Sequence, residues 1–150
     1  MELNELIKIF SGFIGSLGFA LLFNIRDKRL IATGLGGLLA SILYIVFCRL
    51  LPSEALNYFL VAAIISIYAE IMARVLKTPS TTFITTSLVP LIPGGSLYYT
   101  MTYAFESDME KFLNKGIYTL QLAASLALGI IIVAAFTKIV YKVIYARKIS

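Results

Sequence analysis

Polar and helix-breaking residues are concentrated in one apolar stretch, Lys77 to Phe105, which reads KTPSTTFITTSLVPLIPGGSLYYTMTYAF. Hydroxyl side chains can hydrogen-bond the polar groups of a ligand. Prolines and glycines interrupt a helix and leave backbone donors free. This combination predicts a polar site inside otherwise apolar surroundings. The first half of the stretch supplies the hydroxyls, at Thr78, Ser80, Thr81, Thr82 and Thr85.

Two opposite charges precede this stretch on one helical face, since Glu70 and Arg74 are four residues apart. From a helix start at Glu54, Glu70 lies about 24 Å along the axis, which is inside a membrane. A carboxylate at that depth requires a partner or a water-filled cavity. Two interpretations follow: a structural ion pair near an interface, or a pair lining a transport cavity in which one member binds a proton or a charged group.

The composition is that of an integral membrane protein. Of the 150 residues, 59% are hydrophobic and 14% are charged, and the mean hydropathy is +0.90. A helix crosses the bilayer core with roughly 20 residues, so the chain has room for five or six spans at most. The net charge of +5 is scattered between apolar runs, which argues against nucleic acid as a partner.

Catalytic chemistry finds little support in the sequence. There is no histidine, the usual metal ligand and general base, and the single cysteine, Cys48, lies in an apolar run. No nucleophile with its base and no nucleotide-binding motif is present. We therefore expect no metal site, no cofactor and no enzymatic activity.

The apolar runs predict a single all-α domain over residues 1–150, with five transmembrane helices. The fourth helix is expected to be discontinuous, broken from Pro90 to Gly95, because Pro90 and Pro93 each remove a backbone donor. Small residues every four positions predict close packing of the first two helices, at Gly12, Ser16 and Ala20 and at Thr33, Gly37 and Ser41. The expected spans are about 6–24, 30–51, 54–77, 80–105 and 116–140.

A second half-helix is predicted after the break, with Ser96 as its N-cap. Free N–H groups at such a helix start favour an anion, and broken helices hold substrate carboxylates in several transporter folds. A proline kink with small packing residues is the alternative. Glu70 is the expected coupling residue. The expected substrate-binding residues are Arg74, Thr82, Thr85, Gly94, Gly95, Ser96 and Tyr99.

The basic residues predict the orientation, with the N-terminus outside and the C-terminus cytoplasmic. In that arrangement the cytoplasmic side collects nine of the 13 basic residues, and the opposite side carries most of the acids. The nine are Arg26, Lys28, Arg29, Arg74, Lys77, Lys138, Lys142, Arg147 and Lys148.

Two blocks resemble the small membrane subunit of the threonine/serine exporter family. The block AEIMARVLKTPSTTF, residues 69–83, is similar to the family's A-E-x-x-A-R-x-x-K-x-P stretch. The block VPLIPGGSLYYTM, residues 89–101, is similar to its P-G-G-S-x-Y-Y-like turn. Glu70, Arg74 and Pro93 to Ser96 are the positions that match the family's motifs.

The resemblance implies an exporter of small polar metabolites in the bacterial inner membrane, taking threonine and serine in some members and succinate-like dicarboxylates in others. It also implies a larger, separately encoded subunit of the same family as a partner. Membrane lipid, a substrate with a carboxylate and a possible homo-oligomer complete the expected partners. A structural or regulatory subunit without a substrate path of its own is the alternative function.

Overall fold

The computed structural model describes residues 3–149, with side chains described as far as residue 142. Every regular element in this part of the chain is helical, which confirms the predicted all-α class. The elements are α1 (Leu3–Leu22), α2 (Lys28–Leu50), α3 (Glu54–Val75), α4 (Ser80–Ser87), a 3₁₀ turn (Val89–Leu91), α5 (Gly94–Phe105) and α6 (Met109–Ile149). The predicted topology signals Arg147 and Lys148 lie outside the described side chains.

Four helices in the described residues are long and apolar enough to cross a membrane: Leu3–Leu22, Lys28–Leu50, Glu54–Val75 and Met109–Lys142. They correspond to the predicted first, second, third and fifth spans. The predicted fourth span is discontinuous, as expected, and consists of α4, the 3₁₀ turn and α5. That this broken segment crosses the membrane completely, which would make five crossings in all, remains a prediction.

The ends of α1, α3 and α5 share one kind of turn. Asn24, Lys77 and Ser107 adopt φ values of 57°, 47° and 57° directly after these helices. At the end of α3, for example, the N–H of Thr78 donates to the carbonyl of Ala73 at 2.9 Å. These bonds satisfy carbonyls that a helix end leaves without partners, so each helix stops sharply and the chain reverses.

Capping side chains fix the starts of α3 and α6. Ser53, the N-cap of α3, accepts a hydrogen bond from the N–H of Leu56 at 3.5 Å. Asp108 accepts from the N–H of Lys111 at 3.2 Å. Because Asp108 caps the chain there, α6 begins at Met109, ahead of the span predicted over about 116–140.

Small residues allow α1 and α2 to pack closely, as predicted. Gly12, Ser16 and Ala20 are buried on α1. Thr33, Gly37 and Ser41 are among the buried residues of α2, together with Gly36 and Ala40. The two helices are antiparallel, and an ion pair of 2.6 Å between Arg49 and Glu5 joins the end of α2 to the start of α1.

The broken segment runs from one end of the bundle to the other. Thr81 and Thr82 of α4 lie beside Phe23 and Ile25 of the α1–α2 turn, at what we call the Arg26 end. Thr100 of α5 contacts Thr119 of α6 at 3.3 Å. The neighbouring Tyr118 bonds Glu54 at the start of α3, at the opposite, Glu54 end. Buried Phe83 anchors α4 against Ala32, Ala69 and Ala73.

Candidate functional site

The helix break extends from the end of α4 at Ser87 to the start of α5 at Gly94. The expectation that Ser96 caps α5 is wrong, because Pro93 occupies the N-cap position. The carbonyl of Pro93 accepts the N–H of Leu97 at 3.0 Å, so helical bonding begins there and Ser96 lies inside the first turn. The N–H groups of Gly95 and Ser96 have no acceptor within the helix by its geometry.

The expected ligands at the start of α5 lie on an exposed surface. Gly94 and Gly95 are exposed, and an added Cβ at either position would meet nothing within 4 Å. Tyr99 is 52% exposed and its ring meets the ring of Tyr98 edge-on, with the centroids 5.6 Å apart. In the described part of the chain, Gly94 and Gly95 therefore border open space.

Two clefts lie along the contact between the α1–α2 pair and the α4–3₁₀ segment, which we call the seam. The first is the threonine cleft at the Arg26 end, with a volume of about 260 Å³. The expected ligands Thr82 and Thr85 lie in it, together with Phe23, Ile25 and Thr81. The hydroxyl of Thr85 donates to the carbonyl of Thr81 at 2.7 Å, which leaves its oxygen available as an acceptor.

The second cleft, which we call the lysine cleft, lies at the break and has a volume of about 360 Å³. Pro90, one of the predicted helix breakers, forms part of its wall. Its charge is positive, because Lys8 is the only ionisable side chain besides Tyr44 among its described lining residues. The full lining is Ile7, Lys8, Ser11, Gly12, Ser41, Tyr44, Ile45, Pro90 and Leu91.

Two of the three hydroxyl groups that line the lysine cleft, those of Ser41 and Tyr44 but not that of Ser11, already give their protons to other acceptors. Ser41 donates to the carbonyl of Gly37 at 3.0 Å. Tyr44 donates to the Glu54 carboxylate at 2.9 Å. A hydroxyl that has given its proton away still has acceptor lone pairs. The cleft therefore combines one cation with two hydroxyl acceptors.

Buried serines packed on glycines occupy the seam between α1, α2 and α4. Ser16 and Ser87 are both 0% exposed, and neither hydroxyl has a hydrogen-bond partner among the described residues. A Cβ added to Gly37 would overlap Ser16, and one added to Gly36 would overlap Ser87. We call these four residues the serine–glycine layer. Its two unpartnered hydroxyls are unusual, because buried polar groups are normally paired.

Glu70 and Arg74 form the predicted ion pair, with 3.2 Å between the carboxylate and the guanidinium. The Arg74 guanidinium also lies 4.4 Å from the centre of the Tyr141 ring, where a cation is attracted by the aromatic face. A cleft of about 260 Å³ joins Arg74 to Phe136, Thr137, Val140 and Tyr141 of α6. Arg74 thus lies beside α6, in a different cleft from Thr82 and Thr85.

Sequence reasoning missed the contacts of a carboxylate at the start of α3. Glu54, in the first turn of α3, accepts hydrogen bonds from the hydroxyls of Tyr44 and Tyr118. The three residues belong to three different helices and are far apart in the sequence, so no local pattern marks the cluster. Lys8 was missed as a cleft residue because the other residues of its cleft also come from distant parts of the sequence.

Comparison with known families gives one match. A family model described as "Threonine/Serine exporter, ThrE" matches residues 8–136. The match spans α1 to α5 and most of α6, so it includes the break, both seam clefts and the Glu70–Arg74 pair. No curated protein and no solved structure matches the chain.

Proposed function

Since this chain belongs to the threonine/serine exporter family, we propose that it is a subunit of a secondary exporter for amino acids of the threonine and serine type. The family is one of transporters, and the long apolar helices make the chain a multi-pass membrane protein. Moving a zwitterion across a bilayer requires polar groups at membrane depth, since hydrocarbon does not solvate them.

The observation that supports this proposal best is the construction of the seam. The threonine cleft lies toward its Arg26 end and the lysine cleft at the break. The unpartnered hydroxyls of Ser16 and Ser87 are buried in the same seam. In our proposal the substrate moves along this seam, and the serine–glycine layer is its closed state. Separation of α4 from α1 and α2 would give the two hydroxyls a polar partner in the substrate.

The residues expected from the sequence receive roles in this proposal. Thr82 and Thr85 accept hydrogen bonds from the substrate in the threonine cleft. Glu70, paired with Arg74 outside the seam, is the coupling residue that takes up a proton. The N–H groups of Gly95 and Ser96, with Tyr99 beside them, receive a carboxylate where the larger subunit covers them. The exposure of Gly95 and Tyr99 in this chain favours that arrangement.

The orientation belongs to the same proposal. We place the Arg26 end at the cytoplasmic face of a bacterial inner membrane and the Glu54 end outside. Arg26, Lys28 and Arg29 are all exposed at the Arg26 end, which agrees with an excess of basic residues on the cytoplasmic side. In that orientation the substrate enters at the threonine cleft and leaves past the lysine cleft.

Efflux from loaded vesicles tests the proposal. The full chain, with and without the larger subunit, is reconstituted into vesicles filled with labelled threonine. We expect threonine efflux, and we expect Glu70→Gln to reduce it while membrane insertion is retained. Glu106→Gln, at an exposed carboxylate in the α5–α6 turn, is the matched control and should leave efflux unchanged. Equal efflux from wild type and Glu70→Gln would exclude Glu70 from the mechanism.

A structural subunit is the second candidate function, and the exposure of α6 favours it. In the most apolar window of α6 only 6% of the residues are buried in this chain, against 39% in α2. Such a helix offers a long face to a second protein. Threonine efflux by the purified chain alone would count against this role. Efflux of succinate in preference to threonine would favour the dicarboxylate alternative.

A further inference from the structure

We propose that the lysine cleft holds a single free amino acid, with its carboxylate on Lys8 and its ammonium group on the hydroxyl oxygens of Tyr44 and Ser41. This inference rests on the proposed function and names the place where this chain itself holds the substrate. It differs from the N-terminus of α5, because the lysine cleft is an open cleft lined by residues of α1, α2 and the 3₁₀ turn.

The carboxylate position follows from charge and surroundings. Lys8 is the cation of the cleft and belongs to no ion pair among the described side chains. Ile7, Ile45 and Leu91 line the same cleft. Apolar walls lower the local dielectric and strengthen the attraction between an ammonium group and a carboxylate. At about 360 Å³ the cleft has the size of a small-molecule site.

The ammonium position follows from the hydrogen bonds. Tyr44 and Ser41 have committed their protons to Glu54 and to the carbonyl of Gly37. Their oxygens can therefore only accept, and an ammonium group supplies three donors. A ligand with a carboxylate and no donor would satisfy Lys8 and leave both acceptors without a partner. The cleft thus selects a zwitterion over a plain carboxylate.

Glu54 is a positioning residue in this proposal. It fixes the direction of the Tyr44 hydroxyl through a bond of 2.9 Å, and it accepts a second bond from Tyr118. Lys115 lies 4.8 Å from the centre of the Tyr118 ring. The negative charge of Glu54 behind Tyr44 makes the phenol oxygen a better partner for a cation, because neighbouring hydrogen bonds polarise one another.

Binding of labelled threonine to the full chain in detergent tests the assignment. The comparison ligands are 3-hydroxybutyrate, which lacks the ammonium group, and threoninol, which lacks the carboxylate. We expect wild type to bind threonine more tightly than either analogue. Phosphoethanolamine tests for a lipid headgroup as the occupant and should compete poorly.

Two substitutions separate the two ends of the ligand. Lys8→Gln should weaken threonine binding by roughly tenfold or more, the loss typical of a charge-assisted hydrogen bond. Lys8→Arg should restore most of the affinity.

Tyr44→Phe should bring the affinities for threonine and 3-hydroxybutyrate close together, and Ser41→Ala serves the same purpose where Tyr44→Phe does not fold. Lys111→Gln removes a charge outside the lysine cleft and should leave the threonine affinity unchanged.

Unchanged threonine affinity in a folded Lys8→Gln protein would overturn the assignment, as would tighter competition by phosphoethanolamine than by threonine. Efflux in vesicles distinguishes this failure from failure of the proposed function. If the wild type exports threonine and Lys8→Gln binds it normally, the proposed function stands and the assignment of the lysine cleft is wrong. If the wild type neither binds nor exports threonine, both proposals are wrong.

Discussion

The seam and the α5–α6 hairpin contain the same kinds of small residue and use them in opposite ways. In the seam, Gly36 and Gly37 leave room for Ser87 and Ser16, and an added Cβ would overlap those side chains. At the start of the hairpin, Gly94 and Gly95 border open space. The serine–glycine layer is therefore tightly packed, whereas the start of the hairpin borders open space. In our proposal the substrate contacts made by this chain alone lie in the seam.

The comparison predicts the largest change in protein stability for a substitution at Gly37. Gly37→Ala should destabilise the protein by about 1–3 kcal/mol, the usual cost of overpacking, because the new methyl group meets Ser16 and lies 3.0 Å from the backbone oxygen of Gly12. Thermal unfolding of the purified protein measures the change. Ser16→Gly in the same chain should restore part of the loss, since it removes the side chain that collides.

Gly18→Ala is the matched control, on the same helix as Ser16 and with no atom within 4 Å of an added Cβ. It should leave stability unchanged or raise it. Equal melting temperatures for Gly37→Ala and Gly18→Ala would contradict the packing described for the seam.

A smaller change in stability, of opposite sign, is expected for a substitution at Gly95. Gly95→Ala should stabilise α5 by about 0.5–1 kcal/mol, because alanine loses less backbone freedom in a helix than glycine. A melting-temperature increase in the isolated chain checks this. If Gly95→Ala raises the melting temperature and yet abolishes efflux in the presence of the larger subunit, the start of α5 is the surface that contacts the larger subunit. A decrease in melting temperature would mean that this surface is packed.

The smallest effect is a pH dependence at the α5–α6 turn. The side-chain hydrogen bond from Lys111 lowers the pKa of the Asp108 carboxyl below its usual range. A lowered folded-state pKa stabilises the fold above the ordinary aspartate pKa of about 3.9, and this is lost as pH falls through the lowered value. The melting-temperature difference between wild type and Asp108→Asn should therefore be small at pH 7 and vanish at low pH. A difference that grows on acidification would contradict this.

Local patterns predicted most of the fold. Long apolar runs predicted α1, α2 and α3 within a few residues, and prolines with glycines located the break. Glu70 and Arg74 were paired correctly because their spacing places them one helical turn apart. Features that depend on neighbours within about one turn of helix can be derived from sequence alone.

The candidate site was only partly predictable. The residues expected to bind substrate together are separated: Thr82 and Thr85 lie in one cleft, Arg74 in another, and Gly94 and Gly95 on the surface. The lysine cleft combines α1, α2 and the 3₁₀ turn, and Glu54 meets tyrosines from two other helices. These contacts follow from the order in which helices pack, which no local spacing encodes.

Opening of the seam is the central claim, and thiol labelling at Ser87 tests it most directly. Ser87→Cys is placed in a Cys48→Ser background, because Cys48 is exposed and would react. Ser87 is 0% exposed, so the account predicts no reaction with a membrane-impermeant thiol reagent at rest and rapid reaction during threonine efflux. If the cysteine of Ser87→Cys stays unreactive while threonine efflux continues at the normal rate, the seam does not open during transport and the account is contradicted.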